Sequence, residues 1–333
     1  MKVGIDIGGT KTAAIAVSDD GSYSEAVRLP TGFGSAAVLE SAESSVRQLA
    51  ASLALDLSQF SSIGVGIPGA VDSENGVVSH AVNLGLSELA LGSELERRLG
   101  IPVRVENDVK AAALGAHHLT SAGGAFAPAA SVRAASVQAG GNANTSLGGV
   151  AVLDSTLPES MAYLNLGTGL AAGIVQSGVL LRGVTGTAGE IGHIPVDPLG
   201  VLCGCGQRGC LETVSSGSGI ARLWPSDAEL PAVELFERAA AGDAQALAVQ
   251  RTFFEGVATG VRLLVLTIDV DRVVIGGGLS ALGDPLIQGV RSVLADWSAS
   301  SPFLASLNLS DRVQLIPVGF PAAAFGAALV GVN

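Results

Sequence analysis

At 333 residues, with 48% hydrophobic side chains spread along its length, the chain is long enough for two ordinary domains, each with its own core. Thirty acidic against eighteen basic residues give a net charge of −12, and no run of Lys or Arg tracks a helix or loop, which excludes a nucleic-acid footprint and points to small or neutral partners. No apolar stretch approaches a membrane span, the first residues carry no leader pattern, and three cysteines within eight residues do not make a secreted disulfide framework, so a cytoplasmic, reducing setting is expected.

The chain opens on VGIDIGGTKTAAIAV (residues 3–17), which reads as strand, glycine turn, strand. Helical patterns at 35–54 and 87–99 then alternate with strand-like SSIGVGIP (61–68) and IPVRVEN (101–107), an α/β order. A helix is expected from Asn107 and Asp108. Residues 119–159 are rich in Ala, Gly and Ser with almost no charge, the pattern of a long excursion whose role composition does not assign. The segment AYLNLGTGLAAGIV (162–175) then repeats the opening hairpin in apolar strand, Asn for Asp, Gly–Thr turn and returning strand. Two related halves facing a cleft follow from that echo. Helices at 231–241 and 243–267, the strand DRVVIGGG (271–278) and an Ala-rich helix at 322–330 close the chain.

Three glycine turns carry the first candidates. Asp6, Gly8, Gly9, Thr10 and Lys11 in DIGGTK, and Gly167, Thr168 and Gly169 in LGTG, suit a phosphate cradle, because glycines let successive backbone N–H groups aim at one point and the threonines add hydroxyl donors. An ordinary hairpin turn is the alternative for either alone; the matched pair favours a nucleotide clamp. Gly277 and Gly278 in VIGGGLS (274–280) follow a strand, where bare backbone can lie against a base or ribose. None is a Walker loop or a complete dinucleotide fingerprint.

In RVENDVKAAALGA (104–116) Asp108 suits either a helix cap or a base that accepts a proton from a substrate hydroxyl, with Asn107 beside it. AGEIGHIP (188–195) sets Glu190 and His193 three residues apart, on one face if helical. His193 leads into Cys203, Cys205 and Cys210, and Cys3His is a closed structural zinc set; a disulfide is the alternative for cysteines this close, disfavoured by their odd number.

The ordered motifs DIGGTK, VENDV, LNLGTG, GEIGH, CGCGQRGCLE and VIGGGLS make the chain resemble, along almost its whole length, the ROK family of sugar kinases and sugar-responsive regulators. The resemblance implies an α/β, two-lobed actin-like ATPase fold with a cleft between lobes. It places one lobe over residues 1–117 plus 318–333 and the other over 118–317, with the insertion at 119–159, a segment that is much shorter in the family. It implies Asp108 as catalytic base and Asn107, Asp108, Glu190, His193 and Glu212 as sugar contacts, with Gly69 in GIPGAVD and Asn83 on the sugar side. Asp6 to Lys11 and Gly167 to Gly169 would then hold ATP phosphates with Mg²⁺, Gly277 and Gly278 the adenosine end, and His193 and the cysteines Zn²⁺. The expected activity is ATP-dependent phosphorylation of the 6-hydroxyl of a hexose, glucose first, with N-acetylglucosamine, N-acetylmannosamine, mannose or fructose as alternatives. A sugar-binding sensor without turnover is the alternative of another class, a redox or zinc-catalytic protein a weaker one. Only five residues precede Asp6, so the helix-turn-helix of family repressors is not expected. A homodimer or higher homo-oligomer is.

Overall fold

The computed structural model describes residues 1–121 and 160–331. The chain divides into two compact units, Met1–Leu157 with Pro321–Asn333, and Pro158–Phe320.

The first unit is built on the opening hairpin. Strands β1 (Lys2–Ile7) and β2 (Lys11–Val17) pair antiparallel from Lys2↔Val17 to Ile7↔Thr12. With β3 (Val27–Pro30), β4 (Ser62–Ile67) and a later strand, β8 (Val103–Asn107), they form a sheet of order β3-β2-β1-β4-β8, in which β1, β4 and β8 run parallel. Burial on both faces explains why β4, Ser-Ile-Gly-Val-Gly-Ile, is apolar or small throughout. Between β4 and β8 lies a three-stranded antiparallel meander, β5 (Ala70–Asp72), β6 (Val77–Ala81) and β7 (Leu86–Leu89). Helix α1 (Ser35–Ser52) buries Val38, Leu39, Ala42, Val46 and Leu49, a stripe at three- and four-residue spacing, in the same apolar core as Val3, Ile5 and Ile63.

The helix expected over 87–99 is corrected at its start. Residues 87–89 belong to β7, paired with β6 through Val78↔Leu89 and Ala81↔Leu86, and the helix, α2, runs from Leu91 to Leu99 before Gly100 closes it in the left-handed region. Strand pairing with Leu86 and Leu89 buried outweighs helical propensity there, a tertiary effect that local pattern does not carry.

Helix α3 (Asp108–Ser121) follows β8 directly. The insertion expected at 119–159 begins in the last turn of α3 and from residue 122 lies outside the described residues.

The second unit repeats the plan. Strands β9 (Ser160–Leu166) and β10 (Leu170–Gln176) form the antiparallel hairpin, and with β11 (Val179–Leu180), β12 (Arg272–Gly276) and β13 (Val313–Leu315) give the order β11-β10-β9-β12-β13, with β9, β12 and β13 parallel. The inserted helices differ. Short α4 (Glu212–Ser215) and α5 (Gly217–Leu223) precede α6 (Pro231–Ala240) and α7 (Ala244–Ile268), and α8 (Asp284–Ser300) and α9 (Pro302–Ser306) follow β12. Asp243 caps α7 by accepting from the N–H groups of Gln245 and Ala246, at 2.9 and 3.0 Å. Phe236, Phe253 and Phe254 meet edge-on or tilted at centroid distances of 5.6 to 6.2 Å in this unit's core.

The last helix, α10 (Ala322–Val330), belongs to the first unit, where it packs on β1, β4 and α3. Its approach to β1 is so close that a Cβ on Gly4 would land on the carbonyl oxygen of Ala324. Among the described residues no helix is long and apolar enough to cross a membrane.

Candidate active site and metal centre

In the first unit the parallel strands align the candidate carboxylates. Asp6 pairs in register with Gly66, and Gly66 with Glu106, so the chain leaves β8 at Asn107 level with the end of β1 and starts α3 at Asp108. Asn107 is the cap of that helix: its Oδ1 accepts from the N–H groups of Val109 and Lys110, at 3.1 and 3.2 Å, while its Nδ2 donates to the Gly69 carbonyl at 3.4 Å. Asp108 also accepts from the Val109 N–H, at 2.9 Å, and remains partly exposed. The pairing of Asp6 with Asp108 is electrostatic: burial, and then the negative charge of Asp108, push the Asp6 carboxyl up to about 7.

The first glycine turn is tight, the Gly8 N–H donating to the Lys11 carbonyl at 2.9 Å. Gly9, Thr10 and Lys11 are exposed. Asn83 lies against this turn, its Cβ 3.7 Å from where a Gly9 Cβ would stand.

The second turn closes one residue tighter, the Gly167 N–H donating to the Gly169 carbonyl at 3.0 Å. Gly277 sits against the strand leading into it. Its N–H donates to the Tyr163 hydroxyl at 3.0 Å, its φ is +82°, and a Cβ there would fall 2.6 Å from both Asn165 Oδ1 and the Leu166 carbonyl oxygen, so only glycine fits. Gly278 faces open space.

The Cys3His group forms a true cluster. One ligand atom from each of His193, Cys203, Cys205 and Cys210 lies within 4.8 Å of all the others. Cys205 and Cys210 sulfurs are 3.6 Å apart, and Cys203 Sγ is 3.8 Å from His193 Nδ1. A tetrahedron with metal–sulfur bonds of about 2.3 Å has edges of about 3.8 Å, so the donor set fits a tetrahedral ion. All three cysteines are free. Isolated bridges between Pro195 and Cys210 and between Leu202 and Arg208 fold the segment back on itself, which brings residues seventeen apart into one knot. Donation from the Gln207 backbone N–H and side-chain amide lowers the Cys205 thiol to about 6, whereas burial pushes Cys203 up to about 12. A cation is what would make deprotonation of the two buried cysteines, Cys203 and Cys210, favourable.

Glu212 joins this knot. The Cys203 thiol donates to Glu212 Oε1 at 3.0 Å, and the same oxygen is 3.6 Å from His193 Nδ1, while Oε2 is 3.0 Å from where a Gly169 Cβ would stand. The carboxylate therefore spans from the metal-ligand cluster to the second glycine turn. Side chains of His193 and Glu212 are 41% and 21% exposed, so both still reach solvent. Glu190 is the exposed residue ahead of the 3-10 turn Ile191–His193, and it enters through its backbone, its carbonyl accepting from the His193 N–H at 3.2 Å. The carboxylate of Glu190 does not enter the hydrogen-bond set of His193 and Glu212 among the described residues.

Sequence reasoning missed Tyr163, Thr31 and Ser218, whose hydroxyls support the glycine turns. No local signal marks them, because each lies 23 or more residues from the turn residue that it bonds.

A family model described as the ROK family matches residues 2–126 and 135–329. The chain is 30% identical over 308 residues to a glucokinase of Halalkalibacterium halodurans, covering 87% of this chain and 83% of that protein. It is 32% identical over 294 residues to an N-acetylmannosamine kinase of Citrobacter koseri, 87% of each. A solved ROK family glucokinase from Streptomyces griseus, in complex with glucose and AMPPNP, is similar at a TM-score of 0.73 and 25% identity, over 99% of this chain and 98% of that one. The fold is the actin-like ATPase fold, its sheet present once in each unit. With the matched segments spanning nearly all of both units, the chain belongs to the ROK family.

Proposed function

We propose that glucose is the sugar on which this chain, an ATP-dependent hexose kinase, acts at the 6-hydroxyl, with Asp108 as the base that takes the hydroxyl proton. The observation that carries this reading is the division of labour at the start of α3. Asn107 caps the N–H groups of Val109 and Lys110, and Asp108, which shares the Val109 N–H, keeps its carboxylate partly exposed at the strand-to-helix junction, where it suits a substrate hydroxyl. Phosphoryl transfer asks mainly for positioning and charge stabilisation. The turns at Gly8–Lys11 and Gly167–Gly169 supply backbone amides for the ATP phosphates, and Gly277 and Gly278 a bare surface for the adenosine end. Mg²⁺, when bound, would neutralise phosphate charge, with Asp6 as its orienting carboxylate.

Glu190, His193 and Glu212, with Asn107, Gly69 and Asn83, are the proposed sugar contacts. The Cys3His cluster is read as a structural zinc site, since four protein donors close a tetrahedron without an open position. His193 turns Nδ1 to the cluster, which leaves Nε2 for a sugar hydroxyl. This closed set also argues against zinc or redox catalysis at the cysteines.

Glucose is supported by the likeness to glucokinases and to the glucose-bound structure. The 32% identity to an N-acetylmannosamine kinase favours a second reading, a 2-acetamido sugar. ADP release measured with ATP and a panel of glucose, mannose, fructose, N-acetylglucosamine and N-acetylmannosamine decides between them. Glucose is expected to give the highest kcat/KM; a higher value for an acetamido sugar replaces the first reading with the second, and no turnover of any hexose leaves the sensor.

A further inference from the structure

In both glycine turns the backbone carbonyls are held from outside the turn. In the first, Thr31, buried just after β3, donates its hydroxyl proton to the Gly8 carbonyl at 2.7 Å and its N–H to the Thr10 carbonyl at 3.1 Å. That hydroxyl has only one proton, so the 3.0 Å contact between the Thr31 and Thr12 hydroxyls runs from Thr12 to Thr31. A chain of donors therefore ends on Gly8. In the second turn the Gly217 N–H donates to the Gly167 carbonyl at 2.8 Å, and Ser218 gives both its N–H, at 3.1 Å, and its hydroxyl, at 2.7 Å, to the Thr168 carbonyl. The two halves use different segments for one task.

Across a trans peptide the carbonyl of one residue and the N–H of the next point to opposite sides. Pinning the Gly8, Gly167 and Thr168 carbonyls therefore turns the N–H groups of Gly9, Thr168 and Gly169 the other way. Peptides next to glycine rotate at little cost. A rotated peptide would present a carbonyl oxygen, and so negative charge density, where a phosphate oxygen is to bind. We propose that Thr31 and Ser218 are positioning residues for the nucleotide, holding the peptides of the two glycine turns with their amides available to anionic oxygens. This rests on the reading of those turns as phosphate-binding.

The test compares Thr31→Val, Thr31→Ser and Ser218→Ala with the unaltered protein, titrating ATP, ADP and adenosine calorimetrically. If Thr31→Val leaves the first turn correctly oriented one-tenth of the time, apparent affinity for ATP and ADP falls about tenfold. Adenosine, which lacks phosphate, is expected to bind unchanged, and Thr31→Ser to restore ATP affinity. Ser218→Ala keeps both backbone donors, so a smaller loss of about threefold is expected; this exposed site gives the same readout if the buried valine variant does not fold. Equal ATP affinity in all folded variants, or an equal loss of ATP and adenosine affinity, overturns the positioning role while leaving the nucleotide reading intact. An unaltered protein that binds adenosine and ATP equally weakly, or neither, overturns the phosphate reading and this proposal with it.

Discussion

Asp108 and Asp6 show how environment separates two side chains of the same type. Asp108→Asn is expected to lower kcat by about 10²- to 10⁴-fold, the range a general base contributes, with ATP affinity retained, checked by steady-state kinetics beside nucleotide titration. Asp6 carries a pH signature. With its carboxyl raised from 3.8 to about 7 by burial and by Asp108, the folded chain holds a proton that the unfolded chain has lost. Stability is therefore fullest near pH 4 and declines as pH rises to 7, by at most about 4 kcal/mol. Asp6→Asn stays neutral throughout. Thermal melts of the ligand-free protein should show the variant's advantage over the parent small at pH 4.5 and larger at pH 8, and combining it with Asp108→Asn should shrink the gain. A variant less stable at pH 8 than at pH 4.5, relative to the parent, would contradict the assigned burial. The motif spacing made Asp6 and Asp108 legible as candidates, but their coupling arises because three parallel strands bring positions a hundred residues apart into register.

Among the elements, α10 illustrates packing that sequence shows only in outline. Its Ala-rich composition announces a helix with small side chains; that it must lie on Gly4 is a matter of contact. Gly4→Ala should cost about 1–3 kcal/mol, since the added methyl meets the Ala324 carbonyl and the helix has to move away. Chemical denaturation measures the loss, and hydrogen exchange should place faster opening in α10. The helices at 35–52, 231–240 and 244–268 were legible because each shows an apolar stripe or a cap, Asp243 above all. At 87–89 the local pattern misled, because β6 supplies the partner that turns Leu86–Leu89 into a strand.

For the molecule as a whole, the proposed metal site would connect stability to function. Treatment with a chelator is expected to lower the melting temperature and the turnover together, because a metal on this cluster would fix His193 directly and Glu212 through Cys203. Calorimetric melts run beside activity assays check this; an inactive protein with an unchanged melt would make the metal catalytic instead. The internal repeat is the largest feature that the residues announce. Two hairpins with glycine turns, 159 positions apart counted from Val3 to Ala162, head two sheets of the same strand order.

The sequence alone determined the hairpins, the glycine turns, the order of α and β segments and the Cys3His set, because each is written in residue types at short spacing that local backbone geometry and donor chemistry demand. Tertiary structure decided the rest. It decided that Glu212 reaches from the cysteine cluster to Gly169, and that Thr31 holds Gly8 from twenty-three residues away. The physical reason is the same in each case: these contacts join groups whose separation along the chain leaves no periodicity to read, and only the packed strands and turns bring them within reach of a hydrogen bond.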